Sequence, residues 1–489
     1  MKTNTLDFDA QALREKILDL AMRGKLVPQD SNDKPASVLL KKIKAEKEQL
    51  IKEKKIKKSK SLAPITDDEK PFDIPDSWEW VRFGDVGLLK NGKTPKKEDI
   101  SSDNIYPYFK VKDMNNNNLY MENAKNWVGE KYSRQVMPKN TIIFPKNGGA
   151  ILTAKKRILT QDSLVDLNTG GLIPYNDLNH KFIFYLFLSL DIKDFVKGSA
   201  VPTINSKKLK ETLVPLPPLE EQSRIAAKIA QLFALLRKVE SSTQQYAKLQ
   251  TLMKSKVLDL AMRGKLVEQD PHDEPASVLL EKIKAEKRKM IKEKKIKKSK
   301  PLPPITDDEK PFDIPDSWEW VRLGEIGIVT SGGTPRKAEK SYWDDANIPW
   351  ITPAVMSKAQ NNIIFDNDNV GKINQKGLSN SSAQLISANS IVVSSRAPIG
   401  YINIVPFAYT TNQGCKSIST YAKVDSKYVY YAIKFSVPDM YKRASGTTFK
   451  EISGTRFGET VIPLPPLEEQ KRIITKVEKL QSSIGELSK

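Results

Sequence analysis

Residues 64–82 read PITDDEKPFDIPDSWEWVR, and residues 304–322 read the same, letter for letter. Working outward, KILDLAMRGKLVPQD at 16–30 returns as KVLDLAMRGKLVEQD at 256–270, at the same offset of 240. PLPPLEEQ stands at 215–222 and again at 463–470. The stretches after each DSWEW, 83–214 and 323–462, share no identity at sight, and the second is eight residues longer. Near-identical connectors therefore flank two divergent blocks. Such a chain suits the recognition of two different things across a fixed distance.

The segment after the first PLPPLEEQ predicts a long helix. Ile225, Ile229, Leu232, Leu236 and Val239 step by 4, 3, 4, 3, and the register continues through Thr243, Tyr246, Gln250, Met253, Val257 and Leu260. That is a heptad seam. Pro217 and Pro218 mark its start and Gly264 its end. From Leu219 to Arg263 it extends roughly 65 Å at the standard rise. The second copy keeps the seam through Ile473, Ile474, Val477, Leu480, Ile484 and Leu487. Leu13, Ile17 and Leu20 stand where Met253, Val257 and Leu260 stand in the first, so the N-terminal helix reads as the displaced end of the C-terminal one. The expectation is that the termini come together and rebuild a second long helix, antiparallel to the first about a pseudo-two-fold axis. The basic arms at 36–58 and 276–298 read as shorter helices, followed by Pro/Asp-rich linkers. The divergent blocks, with short β-like runs at 141–144 and 390–394, read as mixed α/β domains.

Composition narrows the chemistry. The 489 residues carry a net charge of +21, which suggests a polyanionic partner. Residues 41–60 and 281–300 hold +7 and +8 of it, so the remaining chain is only mildly basic. These arms are read as solvated helical faces or phosphate contacts, and, from their place next to the helices rather than inside the variable blocks, as docking surfaces for protein partners. The single cysteine, Cys415, excludes a disulfide framework and a cysteine-rich zinc site. Two histidines leave little room for histidine catalysis. The opening MKTNTLDFDA is polar, and the longest apolar run, 182–190, is too short to span a bilayer. A cytoplasmic protein is expected.

One catalytic motif matches literally. GLLKNGKT at 87–94 fits G-x-x-x-x-G-K-[ST], which cradles phosphates when a strand precedes it and a helix starts at the GK. Pro95 follows at once, and the duplicate GIVTSGGT at 327–334 has Gly333 in place of Lys93. The plainer reading is a glycine turn after a strand, shared as G-[KG]-T-P. A nucleotide-dependent enzyme on a coiled-coil scaffold is the alternative function, marked by ATP binding that Lys93→Ala abolishes. Glu53-Lys54-Lys55 and its copy imitate half of a nuclease site but sit in lysine-rich helices.

The blocks do carry side chains suited to DNA. In the second these are Thr334, Arg336, Lys337, Trp350, Thr352, Ser395, Arg396, Asn412, Gln413, Lys416, Thr447 and Thr448. In the first they are Lys93, Lys96, Lys97, Lys110, Lys146, Asn147, Lys155, Lys156, Arg157, Lys207 and Lys208. Arg, Lys, Asn and Gln pair bidentately with purine edges, although any one of them is more often a phosphate contact or plain surface.

DLAMRGKLV, the PASVLLKKIKAEK arm, PDSWEWVRxG before each variable block and PLPPLEEQxRI after it resemble the specificity subunits of type I restriction–modification systems. SSRAPIGY (394–401), TNQGCKS (411–417), SGTTFKEIS (445–453) and GSAVPTINSKKLKE (198–211) strengthen the resemblance, which covers nearly the whole chain. It implies an α+β protein: two target recognition domains (76–218 and 316–466) separated by long antiparallel coiled-coil helices, with conserved regions at 1–75, 219–315 and 467–489. It implies a non-catalytic chain without cofactor, in which each domain reads half of a split double-stranded DNA target. It further implies two methylation subunits that bind S-adenosylmethionine, and two restriction subunits that use ATP and Mg. No base-reading residue carries over by resemblance.

Overall fold

The computed structural model describes residues 9–56, 64–198, 202–298, 300–359, 363–366, 370–396, 398–447 and 449–486. The chain divides into two compact units, with the boundary between residues 243 and 244.

In the first unit, α1 (Ala10–Met22) starts at Asp9, whose carboxylate accepts from Ala12 N. Helix α2 (Ala36–Lys52) is the basic arm; it buries Ala36, Leu39 and Ile43 and turns its lysines outward. It ends six residues before the expected boundary, where Lys54 adopts a φ of 55°. The rest of that arm, from residue 57, lies outside the described residues.

A two-stranded ribbon closes the first divergent block: β1 (Glu79–Arg82) against β12 (Leu213–Leu216). Between them run β2 (Gly87–Asn91), β3 (Tyr106–Phe109), β4 (Tyr120–Met121), β5 (Asn126–Val128), β6 (Ile142–Pro145), β7 (Arg157–Leu159), β8 (Leu164–Val165) and β9 (Thr169–Pro174). They form one sheet ordered β2-β9-β6-β7-β4 and a second ordered β5-β3-β8. Helix α3 (His180–Ser189) buries its aromatic run on the first sheet, and a short ribbon, β10 (Val196–Lys197) with β11 (Thr203–Ile204), leads to α4 (Ser206–Glu211).

Helix α5 (Leu219–Met262) is the long helix predicted from the seam. The seam is fully buried only toward its start, at Ile225, Ile229 and Leu236; along the middle Val239 and Met253 are exposed. In the first unit α1 runs antiparallel to the start of α5: Arg14 pairs with Glu240, Gln29 donates to Glu221 at 2.6 Å, and Arg224 pairs with Asp33.

The second unit repeats this plan with the remainder of α5 in the place of α1. Helix α6 (Ala276–Lys292) is its arm, and β13 (Glu319–Arg322) closes the second block against β21 (Val461–Leu464). After the short α7 (Leu323–Ile326), the block holds β14 (Gly327–Ser331), β15 (Ile348–Ile351), α8 (Pro353–Ala359), β16 (Gly371–Ile373), α9 (Gln375–Ser379) and β17 (Ser390–Ser395). There follow β18 (Ile399–Val405), β19 (Thr410–Thr411), β20 (Cys415–Thr420), α10 (Ser426–Arg443) and α11 (Gly454–Gly458). The sheets are β14-β20-β17-β18 and β16-β15-β19. Helix α12 (Leu467–Glu486) lies antiparallel to the end of α5: Gln250 donates to Ile484 O at 2.9 Å and Gln269 to Glu469 at 2.6 Å. The expected meeting of the two chain ends falls on residues 1–8 and 487–489, outside the described residues.

The repeated connectors fold alike to the side chain. Gly24 and Gly264, at φ +67° and +65°, end their helices in the left-handed conformation, and Pro75 and Pro315 pack where a Cβ would sit. Trp78 and Trp318 donate to the buried carboxylates of Glu221 and Glu469 at 2.8 and 2.9 Å. Burial raises both carboxyls above the usual range, opposed by the tryptophan and glutamine hydrogen bonds. The linker Glu309 receives a double contact from the buried Arg322, which lowers its pKa to about 2; Glu69 and Arg82 repeat the pair.

Candidate nucleic-acid interface

The two blocks share a strand frame that their sequences conceal. It starts at the one motif they retain, G-[KG]-T-P. Lys93 N donates to Val165 O and Gly333 N to Thr411 O, each at 2.8 Å. A Cβ on Gly92 would lie 2.0 Å from Asp166 O, and one on Gly332 1.9 Å from Asn412 O, so both turns require glycine for close approach. Asp166 N donates to Phe109 O, as Asn412 N does to Ile351 O; Lys146 N donates to Asn168 O, as Ser395 N does to Gly414 O. Ile204 N donates to Lys146 O and Ile452 N to Ser395 O, each at 3.0 Å.

These bonds align the blocks position by position. Lys110 matches Thr352, Lys146 matches Ser395, Asn147 matches Arg396, and Thr94 matches Thr334. Asp166 matches Asn412, Leu167 matches Gln413, Gly170 matches Lys416, and Thr203 matches Glu451. All lie on the turns and strand ends around one end of each block's sheets. The backbone is common; the side chains differ at nearly every position.

In the second block, Lys416 is buried, its ammonium 3.2 Å from Ser395 Oγ, 3.1 Å from Gln413 O and 3.8 Å from Glu451. Burial holds its pKa below the ordinary lysine range. Glu451 also lies 3.8 Å from the exposed Arg396 guanidinium. Thr334 is bonded to Gln413 through side chains, and Trp350 Nε1 donates to Gly333 O at 3.0 Å. Thr352 borders this group at the start of α8. Arg336 and Lys337 are exposed on the following loop, and Thr447 is exposed near the Ser445–Glu451 bridge. Thr448 lies outside the described residues.

In the first block, Asn147 donates to Leu167 O at 3.2 Å, and Lys110 lies 5.8 Å from the Tyr108 ring centroid. Lys93 and Lys97 are exposed; Lys96 pairs with Glu98 at 3.5 Å. Lys207 pairs loosely with Glu211, and Lys208 donates to Asp194 O at 2.8 Å. Two candidates turn inward. Lys156 is 3% exposed, its ammonium 2.9 Å from Leu190 O and above the Phe187 ring. Burial pushes its pKa down to about 8. Arg157 donates to the carbonyls of Asn117, Lys156 and Met114, and Lys155 bonds to Asn115. Lys156 and Arg157 are thus internal to the domain and not surface cations.

Sequence reading missed Asp166, Leu167, Ser357, Tyr401 and Glu451. Asp166 accepts from Thr169 at 2.6 Å, and burial raises its pKa. Nothing in VDLNTGG and TNQGCKS aligns by letter, so only the hydrogen bonds reveal the match. Residues 87–91 of GLLKNGKT are strand β2 and no α-helix follows the GK, so the stretch has the strand and turn of the plainer reading and lacks the helix a phosphate loop uses. Among the described residues no group of three His, Cys, Asp or Glu side chains could hold a metal. Nor is any helix long and apolar enough to cross a membrane. Cys415 is buried, which raises its thiol to about 12.

Comparison with known proteins agrees with the frame. The model of the type I restriction modification DNA specificity domain matches residues 75–250 and 315–489. The specificity subunit of the type I restriction enzyme EcoAI of Escherichia coli is 32% identical, over 98% of this chain and 90% of that protein. The EcoEI specificity subunit of the same organism is 30% identical, over 96% and 89%. A chain from a solved structure of a type I R-M system superposes with a TM-score of 0.59 at 20% identity, covering 86% of this chain and 93% of that one. The chain belongs to the type I restriction–modification DNA specificity family.

Proposed function

We propose that each recognition block reads one half of a split double-stranded DNA target. In this reading the chain is a non-catalytic cytoplasmic subunit, and α5 sets the spacing between the halves. The observation that carries it is the shared frame: equivalent positions at the same strand ends hold Lys110, Lys146 and Asn147 in one block and Thr352, Ser395 and Arg396 in the other. A constant backbone with exchanged donors and acceptors is what reading two different base sequences requires. The near-identical connectors suit the partners common to both halves, two methylation subunits that bind S-adenosylmethionine. Three leucines of α5, Leu235, Leu249 and Leu252, lie outside the buried seam, are 52–65% accessible and are available to such partners. Two restriction subunits using ATP and Mg complete the assembly in this scheme.

The test is a domain exchange. Replacing residues 83–214 with the corresponding block of another family member, in a host that supplies the methylation partner, should change one half of the methylated sequence and leave the other intact. A change in both halves defeats the modular reading. ATP binding by the isolated chain that Lys93→Ala abolishes would favour the nucleotide-dependent alternative.

A further inference from the structure

A cavity of about 440 Å³ opens in the second block, lined among others by Pro353, Ser357, Arg396, Tyr401, Asn412 and Gln413. Its three long polar side chains are fixed in the same sense. Asn412 Oδ1 accepts the backbone N–H of Gly414 at 3.0 Å, so its NH₂ remains to donate. Gln413 Oε1 is engaged by the Thr334 hydroxyl, so its NH₂ also remains. Arg396 has only donors, and Glu451 steadies it at the wall of the cavity.

An asparagine or glutamine that reads adenine uses its oxygen for N6–H and its NH₂ for N7. Each amide oxygen here already accepts one bond, which weakens it as a partner for N6–H while both NH₂ groups stay free to donate. What remains is a donor-rich mouth, and the major-groove edge with two adjacent acceptors is guanine, through N7 and O6. Ser357 adds the complement: its proton goes to Ala354 O at 2.8 Å, leaving oxygen lone pairs able to accept a cytosine N4–H. The matching positions of the first block are Asn147, Asp166 and Leu167, and they offer no such mouth. Asp166 is an acceptor already bonded by Thr169 and by Val111 N, and Leu167 is apolar.

We infer that this cavity takes the major-groove edge of a guanine in the half-site read by the second domain, with Arg396, Asn412 and Gln413 as its specificity-determining residues. The inference rests on the DNA-recognition reading above. The experiment uses the full chain assembled with its methylation subunits. The methylated sequence is determined first, then binding to duplexes in which guanines of the second half-site are replaced one at a time by 7-deazaguanine, which lacks N7. One such position should weaken binding on the order of tenfold to a hundredfold, the discrimination a bidentate contact supports. Inosine, which keeps N7 and O6, should bind there like guanine. Arg396→Gln should relax selection at that base pair alone and lose the 7-deazaguanine penalty, with the first half-site unchanged. A second half-site without an invariant G·C pair, or indifference to 7-deazaguanine at every position, overturns the assignment. Loss of preference in both half-sites of the unmodified complex would instead refute the recognition reading itself.

Discussion

The two recognition blocks solve one structural problem with different residues, and the differences lie where a shared frame leaves freedom. Gly170 and Lys416 occupy the same place on β9 and β20. In the first block the Phe144 ring covers that place, and a Cβ there would meet its Cζ at 2.7 Å. In the second, Val393 replaces the ring, and Lys416 fills the space. The same exchange occurs at Lys156 and Ile402, both buried at one position of the frame. The connectors, by contrast, agree in every contact described above. Divergence is therefore concentrated in paired, compensating changes within the blocks, while the knot that holds each block to its helices is held constant.

That constancy can be broken most severely at Trp78 and Trp318. Each fills the same junction among Gly24, Pro75 and Glu221 or their copies. Trp→Ala removes a large buried side chain and leaves the carboxylate without its indole donor. Each variant should lose about 3–5 kcal/mol, and the two losses should agree within about 1 kcal/mol. Denaturant unfolding of the two variants measures both. A large inequality between them would show that the connectors are alike in shape but unequal in the support they receive.

A smaller effect separates the blocks. Burial lowers the Lys156 pKa to about 8, against an ordinary lysine value of 10.5. The unfolded chain therefore holds that proton more tightly than the folded one. Stability contributed by this site is present above about 10.5 and lost as pH falls through about 8. At about 1.4 kcal/mol per pH unit, the range amounts to about 3 kcal/mol. Lys156→Ile, which installs the residue the second block uses, should abolish that rise between pH 8 and 10.5 and stabilise the chain below pH 8. Unfolding measured across that range checks it. A pH slope that survives the substitution would place the titrating group elsewhere.

The legible and illegible parts of the sequence divide along the same line. The long helix was readable because prolines and a glycine punctuate it and a seam runs through it. The arms were readable as helices but not in their ends, because a lysine at φ 55–56° terminates each and lysine carries no such signal. Within the blocks only the runs at 141–144 and 390–394 and the strand before each glycine turn were visible beforehand, since short strands packed in two small sheets lack a sustained alternation. The candidate site was half legible. Donor-rich residues such as Arg396, Asn412 and Gln413 could be named from composition and motif. Their matching to Asn147, Asp166 and Leu167 could not, because it depends on hydrogen bonds between strands far apart in the chain. Lys156 and Arg157 misled for a simpler reason: lysine and arginine are rarely buried.

The mildest test concerns the one motif that both blocks retain. Lys93 and Gly333 sit at the same point, with the same backbone bond to the facing strand. Lys93 is exposed, and nothing about its backbone demands a particular side chain. Gly333 is buried, and a Cβ there would lie 2.2 Å from Ala383 N and 2.3 Å from Ser382 C. Those neighbours are backbone and cannot swing aside. Gly333→Ala should therefore cost about 1–3 kcal/mol, the range of an overpacked interior. Lys93→Ala should stay within about 0.5 kcal/mol and leave any residual affinity for nucleotide unchanged, since the preceding residues form a strand and not a phosphate cradle. Thermal unfolding of the two variants beside nucleotide titration measures both. Equal costs at the two positions would mean that the second turn yields to a methyl group, and that its glycine is not required by the packing around it.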